Sequence, residues 1–160
     1  MGVTYLAQRS IKADTTENFW MQGGSIELGA DVWKGLGFGL NISGSHAGFI
    51  GSSNVPLSLQ TITVGPRYRW HSGHKVSLYG EAMIGTANGF NSLFPTQFGS
   101  DRSANSSALQ VGGGVDYRLS HHFSARLLDA AWLRTQLPNS TNNVQNTLGL
   151  GSGIVLRFGH

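Results

Sequence analysis

Eight times along this chain, apolar and polar residues alternate one for one over a stretch of roughly ten positions. Period-two alternation gives a strand two unlike faces, because successive side chains leave the backbone on opposite sides. The runs lie near Val3 to Ile11, Phe19 to Trp33, Gly35 to Ser45, Leu57 to Trp70, Lys75 to Gly85, Ala108 to Leu119, Phe123 to Leu137 and Gln145 to Phe158. In the fourth, Ile62, Val64, Pro66, Tyr68 and Trp70 oppose Thr61, Thr63, Gly65, Arg67 and Arg69. In the fifth, Val76, Leu78, Ala82 and Ile84 oppose Ser77, Tyr79, Glu81 and Met83. The seventh is irregular: Arg126, Leu127, Leu128 and Asp129 fit no single period, and a β-bulge would shift the register there.

The connections between runs have a rhythm of their own. Those after the second, fourth and sixth runs are short: Lys34-Gly35, His71 to His74, and Ser120 to His122. Those after the first, third, fifth and seventh are long and polar, covering Lys12 to Asn18, Gly44 to Pro56, Thr86 to Ser106 and Pro138 to Asn143. Short turns at one end and long loops at the other are the pattern of an outer-membrane barrel, and eight strands put both termini on the short-turn, periplasmic side.

Composition agrees with strands in lipid. Charged residues make up 12% of the chain, where a soluble domain carries about 25%. No window approaches the ~20 consecutive apolar residues of a membrane-crossing helix. Strands that are apolar on one face only are compatible with lipid, because a closed barrel satisfies every backbone amide internally. There is no Cys, so neither a disulfide framework nor thiolate chemistry is available. The net charge of +3 is scattered along strands, without the clustered basic face that nucleic-acid binding requires. No export signal precedes Met1-Gly2-Val3, so the sequence reads as a mature region.

The expected architecture is therefore all-β: an eight-stranded antiparallel up-and-down transmembrane barrel over residues 1–158, with Gly159 and His160 as an extension, His160 fitting a purification tag. With apolar rows toward lipid, the polar rows bring Glu27, Asp31, Arg67, Arg69, Glu81, Asp116, Arg118, Arg126 and Arg157 into the lumen. Both signs are present, and buried charges must pair, so these residues are expected to plug the bore, with Glu81 meeting Arg67 from the neighbouring strand. Trp33, Trp70, Tyr117 and Phe158 lie beside short turns, and Trp20 and Trp132 lie toward the long loops. Each set is expected to form one interfacial girdle.

These residues, and four segments in particular, carry a resemblance. Thr63-Val64-Gly65-Pro66-Arg67-Tyr68, Val111 to Asp116, Phe123 to Leu127 leading to Trp132-Leu133-Arg134-Thr135, and Gln145 to Phe158 resemble the eight-stranded barrel of the OmpA-like superfamily. The chain is especially similar to the small outer membrane protein β-barrel domain proteins, over nearly its whole length. The resemblance implies residence in a bacterial outer membrane, contact with membrane lipid, and a terminal signal for the barrel-assembly machinery at Gly153, Leu156 and Phe158. It also implies an acidic residue where Ala131 stands, which leaves Arg126 in need of another partner. The resemblance is to the barrel alone and carries no cell-wall anchoring.

Function follows from the scaffold more than from any motif. A non-enzymatic, monomeric barrel with a structural or surface-interaction role is expected, without cofactor or metal, with recognition carried by the long loops. The segment Thr86 to Ser106 stands out, because Phe90, Leu93, Phe94 and Phe98 are apolar for a loop. The alternatives are a narrow pore, a soluble lipocalin-like barrel with apolar residues inward, and a lipid-modifying enzyme. For the last, His122-Phe123-Ser124 offers a short His-x-Ser pair, with no aligned acid and on the periplasmic side. His71, His74, His121 and His122 gather at short turns and are read as interfacial polar residues.

Overall fold

A strand with one apolar face along its whole length needs a partner on each edge and an apolar medium on that face. Both are provided by closure into a barrel in lipid. The computed structural model describes residues 1–11, 20–48, 57–70, 75–96, 99–136 and 144–158. It contains eight strands: β1 (Gly2–Ile11), β2 (Trp20–Trp33), β3 (Leu36–Ala47), β4 (Leu57–Trp70), β5 (Val76–Thr96), β6 (Gly99–Arg118), β7 (Phe123–Thr135) and β8 (Gln145–Leu156). Each pairs antiparallel with the next, and β1 pairs with β8, from Gly2 opposite Val155 to Ile11 opposite Asn146, so the sheet closes. At the foot of this seam the Met1 amino group donates to the Leu156 carbonyl at 2.8 Å.

The apolar rows face outward. Val3, Ile26, Leu28, Ile62, Val64, Leu78, Ile84, Leu150 and Ile154 are all exposed on the outer wall, while Thr4, Ser25, Glu27, Thr61, Thr63, Ser77, Glu81 and Thr147 are buried in the bore. This orientation is the reverse of a soluble lipocalin-type barrel. The turn between β2 and β3 uses Lys34 and Gly35 at φ of 43° and 87°, the left-handed pair that a two-residue hairpin needs. Gly35 also lies against Arg69, whose N–H donates to the Gly35 carbonyl at 2.7 Å.

Two features differ from a regular eight-strand pattern. In β7, Val115 of β6 stands opposite Leu128 while the adjacent Asp116 stands opposite Arg126, so Leu127 is an extra residue. Leu127 and Leu128 both face outward, and the inward row moves from Ser124 and Arg126 to Asp129, Ala131 and Leu133. The segment Thr86 to Ser106, expected as a loop, is instead a continuation of strand: β5 runs to Thr96 and β6 starts at Gly99. Its ladder runs from Thr86 opposite Ser107 to Thr96 opposite Gly99, with an irregularity between Phe90 and Phe94. Asn88 donates to Asn105 across this ladder at 2.5 Å. Described partners stop earlier, at Ser58 opposite Phe90 on the β4 side and Ala108 opposite Thr135 on the β7 side. The segments Lys12 to Asn18 and Pro138 to Asn143, most of Gly44 to Pro56, and His71 to His74 lie outside the described residues.

Candidate functional site

Among the described residues the bore gathers a group of charged side chains, and the register decides which of them meet. Arg67 on β4, Glu27 on β2, Asp116 on β6 and Arg126 on β7 all point inward toward the short-turn half of the barrel. Arg126 is the hub. Its Nη1 donates to Glu27 Oε2 at 2.7 Å, and its Nε donates to Asp116 Oδ1 at 3.0 Å. Nη1 also lies 3.5 Å from Asp129 Oδ2. Glu27 pairs through its other oxygen with Arg67, and Asp116 through its other oxygen with Arg69 at 3.5 Å. Carboxylates and guanidiniums thus alternate across the lumen, which offsets the desolvation that burial imposes on each.

Tyr79 on β5 ties the network together. Two guanidiniums approach its ring, Arg67 at 4.1 Å and Arg126 at 4.3 Å from the ring centroid. Each cation is attracted to the aromatic face it lies over. The Tyr79 hydroxyl donates to Asp129 Oδ1 at 2.8 Å. Asp129 is in place because of the bulge: with regular alternation, positions 126 and 129 would fall on opposite faces.

Above this layer the described bore residues are mostly uncharged polar side chains around Glu81, and then apolar ones. Thr63 donates to Gln110 Oε1, and Gln110 donates to Glu81 Oε1, both at 3.3 Å. Ser43 and Thr61 share a hydrogen bond at 2.5 Å. A cavity of about 20 Å³ sits at this level, lined by residues including Ser25, Asn41, Gln110, Asp129 and Ala131. That is room for about one water. Toward the long-loop end, Met21, Ala47, Leu59, Ala87, Ala108 and Leu133 pack into a buried apolar cluster across the bore.

The expected network members separate into groups. Glu27, Arg67, Arg69, Asp116 and Arg126 are joined by ion pairs. Glu81 faces inward opposite Arg67, but Arg67 turns to Glu27 and the Tyr79 ring, and Glu81 takes Gln110 instead. Arg118 and Arg157 are half-buried toward the short-turn mouth, where Arg157 donates to Ser77 at 3.1 Å. Asp31 is exposed and joins no described ion pair; a register shift between Asp31 and Trp33 lies beside it. Tyr79 and Asp129 were not among the expected members. Tyr79 was visible on the inward row of its strand, and the broken period around Leu127 was the only sign of Asp129.

Trp20, Trp33, Trp70, Tyr117, Trp132 and Phe158 are exposed on the outer surface. Tyr68 and Trp70 meet edge to face at 4.6 Å. Gly153, from the expected assembly signal, has a separate structural reason. A Cβ there would run into the Val3 carbonyl and lie 2.7 Å from Thr4 Cα, across the closing seam. His122 and Ser124 are not brought together: His122 is exposed in the turn and Ser124 is fully buried in the bore. No cluster suited to a metal ion occurs among the described residues.

Residues 1–158 match the family described as outer membrane protein beta-barrel domain. The chain belongs to this family. It is a bacterial outer-membrane β-barrel. Among solved structures it is similar to Neisserial surface protein A, with a TM-score of 0.72 at 16% identity, over 98% of this chain and 95% of that one. It is also similar to Ail, the attachment invasion locus protein of Yersinia pestis, in complex with the heparin analogue sucrose octasulfate. There the TM-score is 0.58 at 22% identity, over 98% of this chain and 97% of that one. Sequence comparison with curated proteins gave no significant match. At these identities the structural neighbours speak for the fold.

Proposed function

We propose that this barrel is a non-conducting, non-enzymatic scaffold of the outer membrane that presents its long-loop end for surface interaction. One observation carries the reading: the bore is filled in two successive layers. The first is the Arg126-centred ionic network, and the second is the apolar cluster from Met21 to Leu133. An ion crossing the barrel would have to break the first and wet the second. The outward aromatic residues serve as girdles on this reading, and the barrel works as a monomer inserted by the barrel-assembly machinery through its C-terminal strand. The β5–β6 hairpin, which extends past the described partners of its neighbours, is the element offered to the exterior. The neighbour Ail, which binds an anionic sugar analogue, supports a surface-interaction role for this fold.

Planar-bilayer recording tests the proposal. Folded protein is expected to give no steady current above background, and large stable currents would establish the pore alternative instead.

A further inference from the structure

At the short-turn mouth the inward rows of five strands end in charge. Among the described residues these ends are Asp31 on β2, Arg69 on β4, Lys75 just before β5, Arg118 on β6 and Arg157 just after β8. Cations therefore outnumber carboxylates at the rim, whereas deeper in the bore Glu27, Arg126 and Asp116 alternate in sign. Like charges held close in a partly dehydrated place repel one another, and a bound anion relieves the repulsion.

Arg157 bridges this mouth. It leaves the end of β8, and its Nη2 donates to Ser77 Oγ on β5 at 3.1 Å, three strands away around the wall. Arg69, Asp116, Arg118 and Asp31 are the charges that act on it there. Neither carboxylate neutralises the group. Asp116 is already taken by Arg126 Nε at 3.0 Å and Arg69 Nη1 at 3.5 Å, and Asp31 is exposed and joins no described ion pair. Arg69 has a side chain only 10% exposed, and its Nε is buried without a hydrogen-bond partner among the described residues. The same is true of the Nε of half-buried Arg157. A buried donor without an acceptor is costly, so this mouth calls for oxygen atoms from outside the chain.

We propose that the short-turn mouth binds a small soluble phosphate group, as inorganic phosphate or a phosphate monoester, among Arg69, Arg118 and Arg157. Guanidinium forks match phosphate oxygens with paired, charge-assisted hydrogen bonds. A tetrahedral phosphate offers four oxygens to three forks, where a carboxylate offers two. The closed wall separates these inward side chains from lipid headgroups, so the ligand arrives from the periplasmic solution. Side chains nearly fill an eight-stranded bore, which limits the site to one small group. Exposed Lys75 at the rim adds to the attraction. The inference rests on closure and strand direction and is independent of whether the bore conducts.

The test is calorimetric titration of inorganic phosphate, and separately of glycerol phosphate, into the full chain refolded in a non-ionic maltoside detergent. Ionic strength is held constant with sodium chloride. Both ligands are expected to bind saturably at a single site. R118Q and R157Q should each weaken binding about tenfold or more, the worth of one hydrogen bond between charged groups. R134Q, on the outer wall, should leave it unchanged. Absence of saturation in the wild type, equal displacement by chloride, or undiminished binding in R118Q/R157Q overturns the proposal. Phosphatidic acid added to the micelles is expected not to compete; competition would assign the site to a lipid headgroup and overturn the soluble ligand. Should a variant fail to fold, the arginine Nε–H resonances of the wild type decide. Phosphate should shift those of Arg69, Arg118 and Arg157, and shifts confined to Arg9 and Arg134 would overturn the site.

Discussion

Arg126 and Glu27 lie 99 residues apart in the chain and meet at 2.7 Å inside the bore. Arg126 also holds Asp116 and approaches Asp129, so its removal leaves three carboxylates without their shared cation. Breaking a buried pair by removing one partner costs about 3–5 kcal/mol. Arg126→Ala is expected to lose stability on that scale in urea titrations of micelle-refolded protein, followed by the fast-migrating SDS band. Glu27→Gln should cost less, because the amide still accepts a hydrogen bond. A variant Arg126→Ala as stable as the parent would show that the network contributes nothing to holding the barrel closed.

Tyr79 separates into two contributions. Tyr79→Phe keeps the ring that Arg67 and Arg126 approach and removes the hydrogen bond to Asp129. A hydrogen bond to a charged group is worth about 1.5–3 kcal/mol, and a loss at the lower end of that range is expected. Tyr79→Leu also removes the aromatic ring that both cations approach and should lose more. The same urea titration ranks the pair, and equal losses would mean that the cation–π contacts contribute nothing.

The bulge is testable by deletion. Removing Leu127 restores regular alternation and turns Asp129, Ala131 and Leu133 outward or Ser124 and Arg126 out of the bore. A one-residue slip exchanges every side chain between faces. The deleted chain is expected to show no fast-migrating band after refolding, whereas Leu127→Ala, which keeps the extra residue, should refold.

Gly153 and Gly85 stand where the adjacent strand passes too close for a side chain. A Cβ at Gly85 would strike the Ile62 carbonyl and approach Thr63 Cα at 2.8 Å, as one at Gly153 would strike Val3. Gly85→Val and Gly153→Val are each expected to lower stability by about 1–3 kcal/mol or more, the range of overpacked sites. For Gly153 the measurement should use purified protein refolded in detergent, without assembly machinery. Normal refolding and stability there would assign this glycine to assembly and not to the seam.

The β5–β6 hairpin is expected to be separable from the barrel. Replacing residues 91–102 with Asn-Gly keeps the ladder that reaches both β4 and β7. The shortened protein should retain heat-modifiable migration, with a midpoint in urea close to that of the parent. Failure to refold would make the hairpin part of the folding unit.

The alternating rows determined by themselves that this chain forms strands, how many there are, and that the apolar side faces lipid. Val64 and Arg67 cannot both lie on one face of a regular strand, and lipid accepts the first far more readily than the second. The rhythm of Lys34-Gly35 against the longer connections gave the direction of the barrel. Period two also sets the facing of Glu27, Arg67, Glu81 and Asp116, which are buried, because facing is a local property; it missed Asp129, and Asp31 on the same inward row as Glu27 is exposed. Thr86 to Ser106 was misjudged as a loop, because its Asn, Ser and Gly residues favour turns locally, whereas pairing between β5 and β6 satisfies their backbone in a ladder.

Partnership inside the bore was decided only by tertiary structure. Glu81 stands beside Arg67 in the ladder, yet Arg67 reaches Glu27 on another strand, since side chains in a narrow closed cylinder meet across it as well as alongside. Asp129 enters the network through one extra residue in β7, and Tyr79 through two arginines that arrive from β4 and β7. The apolar layer of Met21, Ala47, Leu59, Ala87, Ala108 and Leu133 draws on six strands, and no single run displays it. Period and hydrophobicity act within a strand and can be read along the chain. Closure and register join residues as distant as positions 27 and 126, and they exist only once the sheet has met itself.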